Sequence, residues 1–480
     1  PATEPPAPFT RAAIGTLLEL SLGLSAWKAI PGQRWSLRIN PSSGNLHPTE
    51  AHLLSIGCKD VSDGIYHYHP LDHTLEERAL LLPEQARALM PHLATPGLVV
   101  TLGSIFWRES WKYGERAFRY CQHDIGHALA ALRLAARLLN WRLVRLEAAD
   151  RDITTAFGFD RTPWPQEEAE EPALTAALLP IGDTPLPQTF PTEAADILSA
   201  LAFAGQPNQL SPQHRDWDII TRASTACRQP RCNAPAPPAG PPPSTDPPEP
   251  PFPQAAAIIR QRRSAQAFDP GGRLSREAFM GLLDRTLPRQ TCPPFDALAG
   301  PPRISLILFI HRVHNVPSGL YAFMRHPSHV ESLRAAMSAS FAWEAVSPGE
   351  PLYLLRPGDL RAEAIDLSCR QEIGGFSTFS LGMLAQFEPE IRPAPWVYRH
   401  LFWEAGMIGQ VLYLEAEARG ARGTGIGCYF DDAVHEHLGL KDRSWQSLYH
   451  FTIGFPVEDQ RLQTLPPYFH LDPERQRSSE

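Results

Sequence analysis

The sequence predicts an α+β protein built from two copies of one domain type. Three observations lead there. A proline-rich stretch divides the 480 residues near the middle, apolar segments recur in one order on both sides of it, and their spacing alternates between strand-like and helix-like. At about 150 residues per domain the length suits roughly three domains or two large ones. Proline makes up 50 of 480 residues, near twice its usual ~5%.

The divider is Arg228–Gln254, RQPRCNAPAPPAGPPPSTDPPEPPFPQ. Proline fixes φ and donates no backbone hydrogen bond, so the stretch is neither helix nor central strand. It reads as an extended, semi-rigid linker. Residues 1–227 then form a first repeat and residues 255–480 a second.

The repeat is followed element by element. His52–Cys58 (HLLSIGC) and Ser305–His311 (SLILFIH) are apolar strands. Each leads through a turn to a second strand, Gly64–Tyr68 and Gly319–Phe323. Amphipathic segments follow, Leu71–Leu81 and Ser328–Met337. Each half later carries a long helix, through Ile125–Leu129 and Ile408–Leu412, with apolar residues three and four apart. An Asp-started short helix comes next, Asp150–Phe157 and Asp431–Leu438. A duplicated domain can replace a homodimer, so the halves are expected to pack as an intramolecular pseudo-dimer.

Composition removes several functions. Hydrophobic residues are 43% and charged residues 20%, enough for packed cores. The net charge of −8 leaves no basic excess for nucleic acid. No run of 18 or more apolar residues predicts a membrane span, and no signal peptide is visible, although the chain begins at Pro1 rather than Met. Seven scattered cysteines with no framework spacing suggest reduced thiols in a cytoplasm. GxSxG, GxxxxGK[ST] and HExxH are all absent.

Four motifs can carry chemistry. Arg38–Glu50 (RINPSSGNLHPTE) offers Ser42 and Ser43 hydroxyls, the Asn45 amide and the flexible Gly44. Such a loop donates to a phosphate or polyol; a capped helix start is the plainer reading. Ile258–Ser264 (IIRQRRS) opens the second half with a compact cationic fork suited to a phosphate dianion, or with a solvated helix end whose arginines suit the dipole. Arg422–Gly427 (RGTGIG) lies between the long helix and an apolar strand, the reverse of the dinucleotide-binding order, and suits a turn closely approaching a ligand. Trp107–Tyr120 (WRESWKYGERAFRY) sets Lys112 and Tyr113 side by side before the long helix. A partly desolvated Lys or Tyr can move a proton; a charged, aromatic helix entry is the alternative. His67, His69 and His73 (HYHPLDH) have no counterpart ligands in the second half, where Ala322 and Met324 stand, so no metal is expected. Cys227 and Cys232 border the linker as bystanders.

Taken together, these residues resemble the nitroreductase family of flavoproteins. The first half looks most like the azoline dehydrogenase (SagB-type) branch, which aromatises thiazoline and oxazoline rings in peptides. The sharpest matches are RINPSSGNLHPTE, the RRSxxxF of Arg262–Phe268, and KYGERAFRY at Lys112–Tyr120. The resemblance implies a mixed, mainly antiparallel sheet flanked by helices. It implies FMN held between the repeats, with Arg262, Arg263 and Ser264 at a helix start meeting Pro41, Ser42, Ser43 and Asn45. Arg38 belongs to the same loop, and Gly425 and Gly427 match the family's late glycine turn near the phosphate.

The second half has no PSSxN equivalent and the first no Arg-Arg-Ser, so one FMN per chain is expected. The Lys112-Tyr113 pair matches one used for proton transfer in the azoline dehydrogenase branch. The implied activity is an FMN-dependent oxidoreductase working in ping-pong fashion through flavin N5. Dehydrogenation of a peptide-derived ring and a binding scaffold with a decayed flavin site are the alternatives. The expected partners are a small-molecule or peptide substrate and NAD(P)H as a candidate donor. The chain is expected to stand alone as a pseudo-dimer or to pair again.

Overall fold

The computed structural model describes residues 5–472 apart from 94, 162–167, 181–186, 232–253, 290–291 and 299. Most of the expected linker, with Cys232, lies outside the described residues. The chain divides into two compact units. The first is Pro1–Pro238 with Ala297–Ala299 and Leu462–Glu480, and the second is Ala239–Asp296 with Gly300–Arg461.

In the first unit, α1 (Arg11–Glu19) precedes a hairpin of β1 (Leu24–Ile30) and β2 (Gln33–Arg38). A meander follows, β3 (Thr49–Ile56), β4 (Gly64–His69) and β5 (Thr74–Leu80), then α2 (Pro83–Leu89) and β6 (Gly97–Ile105). Next come α3 (Trp107–Tyr113), α4 (Ala117–Leu138), β7 (Trp141–Leu146), α5 (Asp150–Ala156) and β8 (Glu170–Pro180), and finally α6 (Thr192–Ser199) and α7 (Asp218–Ala226).

The second unit opens with α8 (Ala255–Gln261) and α9 (Arg276–Asp284), followed by β9 (Ile304–Ile310) and β10 (Gly319–Phe323). It continues through α10 (His329–Ala336), β11 (Glu344–Ala345), β12 (Leu352–Pro357), α11 (Arg361–Leu367), α12 (Ile373–Phe376) and β13 (Phe379–Gln386). It ends with α13 (Glu388–Ile391), α14 (Val397–Ala418), β14 (Arg422–Ile426), α15 (Asp431–Leu438) and β15 (Trp445–Gly454).

The repeat is visible in the sheets. The first reads β5-β4-β3-β6-β8-β7 and the second β12-β10-β9-β13-β15-β14, with β11 added outside β12. Every pairing within the two sheets is antiparallel. The expected α+β class and its duplication are therefore both present. One matched pair changes partner: Leu71–Leu81 contains strand β5, whereas Ser328–Met337 contains helix α10. By sheet order the counterpart of β5 is β12, and α10 is an insertion before it.

The central strands are buried on both faces. All eight residues of β3 and all seven of β9 are buried; β9 accordingly runs apolar apart from Ser305, whereas β3 carries Thr49, Glu50, His52 and Ser55 into the interior. In the first unit one face of the sheet packs Leu54, Ile65 and Val99 against Phe157 and Leu198. The other face carries α4, which touches β3, β6, β7 and β8. In the second unit Ile307, Leu320 and Trp445 pack with Leu333 and Val434, and α14 lies against β9 and β15. Helix α4 has 18 of its 22 residues buried, including Gln122, His123, Asp124 and His127. It is therefore covered on nearly every side rather than along one apolar stripe.

Past Arg461 the chain, expected in the second repeat, returns to the first unit. There β16 (Gln463–Leu465) pairs with β1, Trp27 opposite Leu465, to make a three-stranded sheet β16-β1-β2. The Trp27 indole donates to Pro467 O at 2.8 Å, and Leu24 N donates to the Tyr468 hydroxyl at 3.0 Å.

Candidate functional site

The loop after β2 holds a single 3-10 turn, Ser43–Asn45, and no α-helix starts there. Gly44, Asn45 and His47 have φ near +58°, +59° and +52°, and strand β3 follows directly. His47 N donates to Ser42 Oγ at 2.9 Å, and the Asn45 amide donates to Ser36 O at 2.9 Å. The His47 ring meets Asn45 Oδ1 at 2.8 Å. The hydroxyl of Tyr113 occupies the space a Cβ on Gly44 would need. So the 41–45 loop and the Lys112-Tyr113 pair, far apart in sequence, lie against each other. Tyr113 is half-buried and stands edge-on to Tyr120 at 5.1 Å. Lys112 is exposed rather than desolvated, its Nζ 5.1 Å from the Tyr113 ring.

Arg38 lies in the field of Asp124, the carboxylate that Ser42 and Ser43 contact. It donates to Thr49 O at 3.5 Å and lies in the field of Glu50. With His47, Glu50, His67, Arg108 and Glu170 it lines a cavity of about 450 Å³ in the first unit, within the range of small-molecule sites.

Glu50 is the hub of that wall. It pairs with Arg108, and with His67 Nε2 at 2.7 Å, while His67 Nδ1 reaches Glu76 at 2.6 Å. Burial pushes Glu50 up, but Arg108, His67 and Arg38 together hold its carboxyl far below the usual range. Burial alone would lower His67; Glu50 and Glu76 instead raise it to about 9. His52 opposes His67 in the β3–β4 register and meets Glu170 at 3.0 Å.

Sequence reasoning missed this network. Its one local signal is Glu50 and His52 alternating on a strand that is buried throughout. His69 pairs with Asp72 at 3.1 Å and His73 with the Tyr68 hydroxyl at 2.8 Å, so the three histidines of HYHPLDH face different partners. Among the described residues no three His, Cys, Asp or Glu side chains are grouped to hold a metal ion.

The His67 shift has a consequence for stability. Its folded pKa lies above the ordinary 6.5. The stabilisation is therefore complete below that value and lost as pH rises through about 9. Urea unfolding should show the first unit weakening by on the order of 2 kcal/mol between about pH 6 and pH 9.5. His67→Gln should lack that slope; an equal slope in the variant refutes the assignment.

In the second unit Arg262-Arg263-Ser264 does not begin a helix. The triplet leaves the C-terminal end of α8, with Arg262 extended at φ −52° and ψ 129°. Tyr413 of α14 gathers it. The Arg262 guanidinium sits 5.0 Å from the Tyr413 ring, and Ser264 Oγ meets the Tyr413 hydroxyl at 3.0 Å. That hydroxyl also accepts from Gly425 N at 2.9 Å. Ala265 N donates to Gly423 O at 3.2 Å and Thr424 Oγ1 donates to Ala265 O at 2.7 Å.

Burial lowers the pKa of Arg262, and burial together with Arg262 lowers Arg263 to about 10. At that value Arg263 remains a cation at neutral pH. The expected glycine turn is mostly strand: Gly423 and Gly425 lie in β14 opposite Ile453 and Phe451, and Gly427 follows its end. Glycine is required there because a Cβ on Gly423 would strike the Phe451 ring and one on Gly425 the Tyr449 hydroxyl.

The donor sets suit a flavin mononucleotide. The second unit offers two guanidinium groups and a hydroxyl, the chemistry of a phosphate cradle. The first offers hydroxyls and backbone in a tight loop with left-handed residues at Gly44, Asn45 and His47.

No family model matches the chain. A Methanocaldococcus jannaschii protein, provisionally named a nitroreductase, is 29% identical over 138 residues, 28% of this chain and 69% of its own length. A solved structure from Anabaena variabilis, provisionally described as a nitroreductase, covers 93% of this chain and 88% of its own. It has a TM-score of 0.68 at 21% identity. The chain thus has the fold of a structure described as a nitroreductase, and a 138-residue part of it is similar in sequence to a protein provisionally named one.

Proposed function

We propose that the chain is an FMN-dependent oxidoreductase with one composite FMN site. Arg262, Arg263 and Ser264 with Gly425 and Gly427 take the phosphate end, and Pro41, Ser42, Ser43 and Asn45 the ribityl and ring side. The observation that carries the reading is the gathering of Arg262, Ser264 and Gly425 around Tyr413. Bound FMN supplies hydride transfer at N5 in a ping-pong cycle between a reducing substrate, with NAD(P)H the candidate, and an oxidising one. The arginines neutralise the phosphate and the loop hydroxyls orient the polyol. Arg38 acts from beside Glu50 as part of the cavity wall rather than as a phosphate ligand.

A second reading is dehydrogenation of a peptide-derived azoline ring. It is favoured by one contact, Tyr113 packed on Gly44 of the 41–45 loop with Lys112 beside it. Lys112 or Tyr113 would then remove the carbon-bound proton. A cytoplasmic setting fits the six described cysteines, all free thiols. Among the described residues no helix is long and apolar enough to cross a membrane.

The deciding experiment is the visible spectrum of the purified protein, with heat-released cofactor identified by chromatography. One FMN per chain is expected. Two per chain would refute the single site, and none after reconstitution with excess FMN would leave a binding scaffold. Slow NAD(P)H oxidation by a flavin-loaded protein would favour the ring dehydrogenase.

A further inference from the structure

Two carboxyl groups lie beneath the 41–45 loop, and neither enters the reading above. Asp124, on α4, is 2% exposed. Ser43 N donates toward its Oδ1 at 3.4 Å and the Ser42 hydroxyl also favours its carboxylate, while Oδ2 has no donor. Glu109, on α3, is fully buried, and neither of its oxygens has a hydrogen-bond donor. The charged and titratable groups around the two are Arg38 at the end of β2, Lys112 on α3 and Cys121 one turn earlier on α4.

We propose that Asp124 is a proton-gated anchor of the Ser42-Ser43 loop, with Glu109 beside it as a permanently protonated neighbour. The proposal rests on the FMN reading for its consequence and on the geometry of the first unit for its existence. The two acids differ in their donors. Asp124 faces an N–H, a hydroxyl and a guanidinium, all of which favour its carboxylate. Glu109 has only the Lys112 ammonium to favour its carboxylate, and burial together with a like charge in one site outweighs it, so Glu109 keeps its proton.

The shifts follow the same logic. Burial and then Asp124 push Glu109 up to about 10. Burial pushes Asp124 up, against Ser42, Ser43 and Arg38, to about 7. An ionised Asp124 grips the loop through charge-assisted bonds, and protonation loosens that grip. Asp124 is thus a positioning residue, acting through Ser42 and Ser43.

The test is FMN affinity of the full chain by fluorescence quenching, across about pH 5.5 to 8.5. The phosphate of FMN titrates in part of this range, with a pKa near 6, and does so equally with every variant. The readout is therefore the ratio of wild-type to Asp124→Asn affinity. That ratio should fall about fivefold from high to low pH, because the neutral amide cannot gain or lose the charge. Glu109→Gln should track the wild type, since the amide mimics an acid already protonated.

A constant ratio, or a Glu109→Gln variant that alone flattens the profile, would overturn the proposal. Infrared titration of the flavin-free protein separates it from the FMN reading. A carboxylic C=O band that Asp124→Asn removes should disappear through neutral pH. Its absence refutes the anchor even if FMN binds, and its presence supports the anchor even if FMN does not.

Discussion

Replacing Arg262 and Arg263 together by Ala should abolish FMN retention. Each guanidinium offers charge-assisted bonds to a phosphate, worth about 1.5–3 kcal/mol per contact in measured cases. Losing both weakens binding by about 3–6 kcal/mol, or roughly two to four orders of magnitude in Kd. Arg262 is 4% exposed and stacked on Tyr413, so its loss also removes packing. Arg262→Lys with Arg263→Lys separates the two effects: charge stays while the planar fork is lost, and affinity should fall to an intermediate level. Equilibrium dialysis against FMN reads both variants, with thermal unfolding of the flavin-free proteins as the control for folding. A double-alanine protein that folds and keeps its full flavin would refute the phosphate site.

Glu404→Ala should be the most destabilising single change in the second unit. Glu404 pairs with Arg325, and their side chains are 4% and 0% exposed. Glu404 also accepts from Arg303 N at 2.9 Å. Arg325 donates to Thr286 O at 2.8 Å and Ile304 O at 3.2 Å and lies 5.0 Å from the Phe295 ring. Burial lowers the Arg325 pKa and Glu404 opposes that. Removing the carboxylate strands a buried cation, which costs about 3–5 kcal/mol. Removing both charges, as in Arg325→Met with Glu404→Leu, should recover much of the loss, because neither group is then left unpaired. Hydrogen exchange of β9 and α14 amides reports the change within this unit. A loss below about 1 kcal/mol for Glu404→Ala would show that the pair is not what holds this corner together.

Much of the fold is legible in runs of consecutive residues. The proline run, the paired apolar strands, the two long helices and the Asp-started short helices are all local patterns, and their common order announces the repeat. The loop chemistry of RINPSSGNLHPTE and the RRS fork are likewise visible as residue types. Local pattern thus suffices for the α+β class, its duplication and the motifs from which a site can be built.

How those motifs are held is a matter of packing. Arg262-Arg263-Ser264 becomes a helix exit bound to Tyr413, RGTGI becomes an edge strand, and Arg38 goes to Glu50. Leu71–Leu81 answers to strand β12 rather than to α10, because only the sheet order shows where an insertion falls. The Glu50–His67–Arg108 wall and the Asp124–Glu109 pair are also products of the folded chain. Those groups come from separate strands and helices, and their charge states depend on burial and on neighbours far away in sequence. Consecutive residues record which face of an element is apolar; only packing sets which charges share that buried space.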